Sequence, residues 1–370
     1  MKRESNERKD EMKKTGLRIT AVVAGVVLIG GMAACGGGEG SRGTDSAEST
    51  ATQPVSGPLV YTSDEWGDSI YVIDAGRDSV VDVFYAGQRP RGIRLSRDGK
   101  SLVVAVSGSP RGGPNVDESK LPPPDRSKDG IAVVDLATKE VRRLPGGSDP
   151  ENFGISSDGN RVYVSNEDAG TATVVDVPSG KVVATVKVGE EPEGVETNPD
   201  GSEVWVTSEE EGTVTVINTA TNTAVATIKV AKRPRSVAFT LDGSKAYVPA
   251  ELDSAVMVVD TKERRVLKKI QIPGVGAKPM GSAISPNGKF VYVTNGRGKT
   301  LSVIDTGVDS VIATFEVGDR PWGVGVSPDG SRIFTANGPD GSISIIDAAD
   351  QRILHRISVG KSPWGIAVAP

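Results

Sequence analysis

Few residues in this chain are equipped for chemistry. It has one histidine, His355, and one cysteine, Cys35, among 370 residues. A histidine-ligated zinc site, a bis-histidine haem and a copper centre each need more ligands of these types. A single Cys excludes an internal disulfide and a paired-thiol metal site. No Gly-x-Ser-x-Gly elbow, His-Glu-x-x-His helix or haem-attachment motif occurs. "GRGKT" (Gly296–Thr300) has Val293 where a Walker loop needs its first Gly, so it reads as a hairpin tip. His355 stands where sister segments carry Ala184, Ala226 and Ala313, and reads as an outer-strand filler. No cofactor is predicted.

What remains is a set of corner residues that follow a recurrent proline. The corners begin at Pro90, Pro150, Pro192, Pro234, Pro279, Pro321 and Pro363, at steps of 60, 42, 42, 45, 42 and 42 residues. The next residue is Arg91, Glu151, Glu193, Arg235, Met280, Trp322 or Trp364. Arg91, Glu193, Arg235, Met280, Trp322 and Trp364 are the candidate ligand- or partner-binding residues. Two of the four Trp residues stand here. Beside Arg320 they suit a planar or carbohydrate-like ligand, or a partner's hot spot; packing against the next corner is the alternative. Arg89, Arg91, Arg233 and Arg235 predict a basic sector, and Glu190, Glu191 and Glu193 an acidic one. A weaker reading gathers Asp149, Glu151, Asn152 and Glu193 as oxygen ligands for a metal or as a general base.

The repeat that places these corners also sets the fold. An aliphatic residue followed by Asp or Asn keeps the same beat at Asp74, Asp135, Asp176, Asn218, Asp260, Asp305 and Asp347. Asp-Gly or Asn-Gly follows six corners, from Asp98-Gly99 to Asp329-Gly330, and supplies the positive φ of tight hairpins. Each unit reads as four short strands, as in "GVGVSP", "RIFTAN", "SISIID" and "ILHRISVG". Many strands are apolar on consecutive residues, as expected when both faces of a blade are buried. The last unit has only its first strand, "GIAVAP". Its partners lie at the other end, in "LVYTS", "SIYVID" and "VVDVFYAG". The prediction is an all-β, seven-bladed β-propeller of four-stranded blades over residues 57–370, closed by the C-terminal strand. Strand direction puts the Pro corners and the loops after each second strand on one face. An irregular insertion at 107–130 joins them and is long enough to cover the channel mouth.

The units Arg161–Gly201 and Phe290–Gly330, with "YVTN" at Tyr292–Asn295, "YVSN" at Tyr163–Asn166 and "WVTS" at Trp205–Ser208, resemble the YVTN family of β-propeller repeats. That resemblance implies a rigid extracytoplasmic propeller. Relatives of this kind include surface-layer-like proteins, binding proteins, sugar-lactonase-like enzymes and proteins of quinoprotein oxidation pathways, so the fold does not select a function.

Residues 1–18 carry seven basic side chains, and "ITAVVAGVVLIGGMAAC" follows. This is the pattern of a signal peptide over 1–34. "MAAC" at Met32–Cys35 resembles a bacterial lipobox, which implies lipid on Cys35 and a membrane-held domain. Residues 35–56 are Gly/Ser/Thr-rich and read as a tether reaching about 25 Å. The net charge of −5 and the lack of a basic stripe argue against nucleic acid. The leading expectation is a monomeric, lipid-anchored propeller of the cell envelope, in the periplasm, at the outer membrane or on the cell surface. It would bind a small molecule or an envelope protein on the Pro-corner face. The alternatives are a lactonase-like hydrolase or quinoprotein accessory protein, and a self-assembling surface structure.

Overall fold

The computed structural model describes residues 56–112 and 117–370. The predicted signal peptide, Cys35 and all but the end of the tether lie outside the described residues. Among the described residues twenty-eight strands, β1 to β28 in chain order, form seven four-stranded antiparallel sheets. One blade shows the pattern. β24 (Pro321–Val326) lines the channel, β25 (Arg332–Asn337) and β26 (Ser342–Asp347) follow, and β27 (Arg352–Ser358) is outermost. Blades 2 to 7 span residues 93–144, 150–187, 192–229, 238–271, 279–316 and 321–358.

Blade 1 is assembled from both chain ends, as predicted. β28 (Pro363–Val368) pairs antiparallel with β1 (Leu59–Asp64), Val60 opposite Val368 and Asp64 opposite Pro363. β2 (Ser69–Asp74) and β3 (Ser79–Phe84) complete the sheet. The join is more than a ladder. The buried Asp64 carboxylate accepts backbone N–H bonds from Lys361 (3.0 Å) and Ser362 (2.7 Å). Thr62 Oγ1 donates to Gly365 O at 2.9 Å, and the Gly365 N–H donates to Ser63 Oγ at 3.0 Å.

Apolar side chains collect between blades, in seven clusters with one at each interface. Val103 packs toward blade 3 while its neighbour Val104 packs toward blade 1. Both faces of a blade are therefore apolar, which explains the consecutive aliphatic runs. Between blades 4 and 5, Trp205 meets Phe239 edge-on at 5.2 Å. The six Gly residues of the Asp/Asn-Gly turns have φ between +70° and +76°. In five of those turns a Ser or Thr hydroxyl two residues before the Asp/Asn bonds its side chain, as Ser327 does with Asp329.

The insertion after blade 2's second strand holds two short 3-10 turns, Glu118–Lys120 and Arg126–Lys128. It is stapled across the rim. Arg111 reaches Asp68 of blade 1 at 2.6 Å, and Arg126 bonds Asp168 of blade 3. His355 lies on outermost β27, with Nε2 3.0 Å from Asp78 of blade 1.

The closing bonds give the first prediction. Asp64→Ala leaves two N–H donors without their acceptor and should lower the unfolding free energy by about 2–4 kcal/mol. Urea denaturation measures this; a loss under about 0.5 kcal/mol would mean that the strand ladder alone closes the ring.

Candidate functional site

The seven residues that follow the corner prolines form one ring around the channel. In order they are Arg91, Glu151, Glu193, Arg235, Met280, Trp322 and Trp364. Six of them are only 1–9 % exposed, and Trp322 is half-buried. The ring is tight because neighbouring backbones touch there. A Cβ on Gly194 would lie 2.5 Å from Arg235 O, and one on Gly323 2.5 Å from Trp364 O. Hydroxyls of the second strands then bond the next blade's ring carbonyls: Ser63 to Arg91 O (2.6 Å), Ser165 to Glu193 O (2.8 Å) and Thr294 to Trp322 O (2.6 Å).

Two guanidiniums organise the charged half. Arg91 Nη2 lies 2.5 Å from Asp149 Oδ1, and its Nη1 3.1 Å from Glu167 and 3.4 Å from Glu151. Arg235 Nη1 bonds Glu209 and lies 2.6 Å from Glu193 Oε2. That last approach is an ion contact without hydrogen-bond alignment, since Glu193 Oε2 has no aligned donor. Arg235 Nε is 3.7 Å from Glu251. The expected division into basic and acidic sectors is corrected here: each Arg of the ring sits inside its own carboxylate set. A buried charge is tolerated only when paired in this way.

The aromatic half is a stack. Trp322 and Trp364 lie 6.1 Å apart at 23°, and the guanidiniums of Arg235 and Arg320 stand 5.3 and 5.0 Å from the Trp322 ring. Trp364 is buried at 9 % exposure, as in the alternative that these side chains pack against the next corner.

Burial and charge move the titrations. Desolvation pushes Glu193 up to about 7, with Arg235 opposing and Glu167 and Glu251 adding to the rise. Glu151 is raised well above its ordinary value, first by burial and then by Glu167. Burial would raise Asp149, but Arg91, Arg89 and hydrogen bonds from Ser107 and Ser109 together hold it below its ordinary value. Burial would lower Arg91, but Glu151, Asp149 and Glu167 raise it further and keep it charged.

A second tier covers the ring on its Pro side. Glu65, Glu167, Glu209 and Glu251 each stand one residue after a second strand. Glu65 holds Arg89 at 2.8 Å, and Lys278 reaches Glu251 at 3.2 Å. The sequence places the loops that hold these four carboxylates on the Pro-corner face but does not include them among the candidate binding residues, although 167, 209 and 251 fall at even steps. The residues before the corner prolines form part of this tier. Arg89, Asp149, Glu191, Arg233, Lys278 and Arg320 all have φ between 45° and 57°. A left-handed residue before proline is strained by about 1–3 kcal/mol. Six of seven corners accept that cost while holding a charged side chain at the rim.

Inside the ring lies a cavity of about 460 Å³. It is bounded by Glu193, Arg235, Met280, Trp322 and Trp364 at one end, and reaches Pro199 and the exposed Leu241 beside the Asp-Gly turns. Arg91 and Glu151 stand outside its lining. The weak metal set does not converge: among the described residues no three His, Cys, Asp or Glu side chains are grouped to hold an ion. Asn152 Oδ1 instead accepts the N–H of Phe153 at 2.9 Å, and Asp149 takes bonds from Arg91 and Ser107.

A family model for a seven-bladed β-propeller lactonase matches residues 194–351, and a YNCE-like β-propeller model matches residues 117–202. Neither spans half of the chain, and both describe β-propellers. No curated protein matches in sequence. Among solved structures, a candidate 6-phosphogluconolactonase from Bacteroides fragilis is similar at TM-score 0.69 and 16% identity, covering 86% of this chain and 99% of that one. A candidate 6-phosphogluconolactonase from Bacteroides uniformis gives 0.69 and 16%, over 84% and 99%. Hydrazine synthase of Kuenenia stuttgartiensis gives 0.64 and 19%, over 76% and 90%. At these identities the likeness is one of fold.

The raised Glu193 makes a stability prediction. Its folded pKa of about 7 exceeds the ordinary 4.5, so its contribution is fullest below pH 4.5 and is lost as pH rises through 7. A shift of this size corresponds to about 3 kcal/mol. Wild type should therefore lose stability relative to Glu193→Gln between pH 5 and pH 8. Paired urea titrations at the two pH values test this, and parallel pH dependence of the two proteins would refute it.

Proposed function

We propose that this chain is a cell-envelope propeller that captures a small cyclic molecule in its channel. Lipid on Cys35 would hold the ring on a membrane. The supporting observation is the cavity of about 460 Å³ whose inner end combines the Glu193–Arg235 pair with the Trp322–Trp364 stack. Aromatic faces with a few convergent polar groups suit a ring-shaped ligand bearing oxygens. On the Pro side, where such a ligand was first expected, the second tier of ion pairs lies against the charged half of the ring. This reading assigns the ligand to the cavity on the channel side.

A second reading is hydrolysis of a lactone. It is favoured by a carboxyl group with a pKa of about 7 beside a guanidinium, and by the lactonase model and the two similar structures. Glu193 as carboxylate would take a proton from water, and Arg235 would stabilise the oxyanion.

Glucono-δ-lactone and its reduced analogue, 1,5-anhydroglucitol, separate the two. Binding of both with no turnover fits a receptor. Turnover that rises through pH 7 and falls about a hundredfold or more in Glu193→Gln fits the hydrolase. In either case the double variant Trp322→Ala, Trp364→Ala should weaken binding at least about tenfold with the ring still folded. Undiminished binding would remove the stack from the site. For the anchor, labelled palmitate should enter the wild-type protein and not Cys35→Ala; equal labelling would refute lipidation at that residue.

A further inference from the structure

The level of the channel nearer the Asp-Gly turns holds a second polar feature, which the ring does not explain. Three residues beyond each ring position, five blades carry Gly or Ala: Gly154, Ala238, Ala283, Gly325 and Ala367. Adjacent inner strands crowd there, and a Cβ on Gly325 would lie 2.6 Å from Ile366 Cγ2. The two exceptions are Arg94 in blade 2 and Glu196 in blade 4. Arg94 reaches past blade 3, placing Nη2 2.8 Å from Glu196 Oε2 and 3.0 Å from Val195 O.

This ion pair stands on a shared wall. The large cavity and a second recess of about 210 Å³ are both lined by Ile93, Arg94, Glu196 and Ile366. The recess adds Arg97, whose guanidinium is oriented by Ser156 O (3.1 Å) and Ile155 O (2.7 Å). Two guanidiniums and one carboxylate thus face a small, partly apolar space. Arg94 and Glu196 side chains are about one-third exposed (32 and 28 %), so water competes for them and the pair itself is weak. An incoming carboxylate replaces Glu196 at little cost and gains a guanidinium already held in place by Val195 O.

We propose that Arg94, assisted by Arg97, is an anion-reading subsite, and that the channel's ligand is a small molecule with a carboxylate at one end and a flat or ring-shaped body at the other. Glu196 is the built-in competitor that sets the affinity. This rests on the reading of the channel as a ligand site. Three residues along a strand are about 10 Å, which is the offset along the strand between the level of Arg94 and that of the ring, and so the least length such a ligand spans.

The probes are 6-phenylhexanoate, whose extended chain matches that length, and its neutral amide, titrated calorimetrically into the full chain. The acid should bind at least about tenfold more tightly than the amide. Arg94→Gln should abolish that preference, and Glu196→Gln should widen it several-fold. Thermal unfolding of each variant confirms that the ring is intact. Neither residue belongs to the Trp322–Trp364 stack, so amide binding reports the channel itself. Equal binding of acid and amide, or a preference that survives Arg94→Gln, overturns the subsite and leaves the channel as a ligand site. Failure of both probes to bind overturns the subsite, whereas the channel reading stands or falls on the lactone and anhydroglucitol titrations.

Discussion

Contact between main chains at the inner ring is the constraint from which the rest follows. Blades meet where Gly281 and Gly365 face the carbonyls of Trp322 and Arg91 in the next blade, with no room for a Cβ. Those carbonyls would be costly to bury unpaired, and the hydroxyls of Thr294 and Ser63 bond them. The recurrent Pro-x-Gly phrase and the Ser or Thr near the end of the second strand are therefore two halves of one interaction. Where blades are fixed to one another this way, the residue between the Pro and the Gly has its direction set by the ring. Its chemical type is then free to vary, and it does.

That freedom is matched one layer out. Where the ring carries Arg, the second tier supplies Glu209 and Glu251, or Glu167 with Asp149. Where the ring carries Met280 or Trp322, the same repeat position is Gly296 or Gly338. A Cβ there would come within 3.2 Å of the Met280 Cγ or the Trp322 Cδ1. Charge is met by charge and bulk by space. The strained residues before the prolines belong to this scheme, since Arg89, Arg233 and Lys278 hold ion pairs over the ring.

The fold was legible because each blade repeats local signals that act independently: Asp-Gly turns, β-branched strands and proline corners. Closure was legible from the unmatched strand at residues 363–368. The site was legible only as a set of positions. The corner prolines located Arg91, Glu193, Arg235, Met280, Trp322 and Trp364. They could not show whether Trp364 faces water or packs on Trp322, because that depends on a contact 42 residues away. The carboxylates around Arg235 come from loops 26 and 16 residues distant in sequence, on two different blades. Periodicity could have found Glu209 and Glu251. Nothing local could have paired Arg94 with Glu196, since that bond skips a blade.

The channel is consequently asymmetric along two directions. Around the ring, the charged sector from Arg91 to Arg235 gives way to Met280, Trp322 and Trp364. Along the axis, tightly covered ion pairs on the Pro side give way to a wide, half-polar chamber. Tight cover explains why Glu193 can sit near neutral pKa beside a guanidinium: burial raises it more than one misaligned contact with Arg235 can lower it. Arg235 divides its attraction among Glu193, Glu209 and Glu251, and its hydrogen bond goes to Glu209. Glu193 is thus the carboxyl group of that set left both buried and under-compensated, and it lines the chamber. A fold whose repeats satisfy nearly every other buried polar group has kept one proton-responsive carboxyl next to an aromatic wall, and strand pairing alone gives no reason to keep it there.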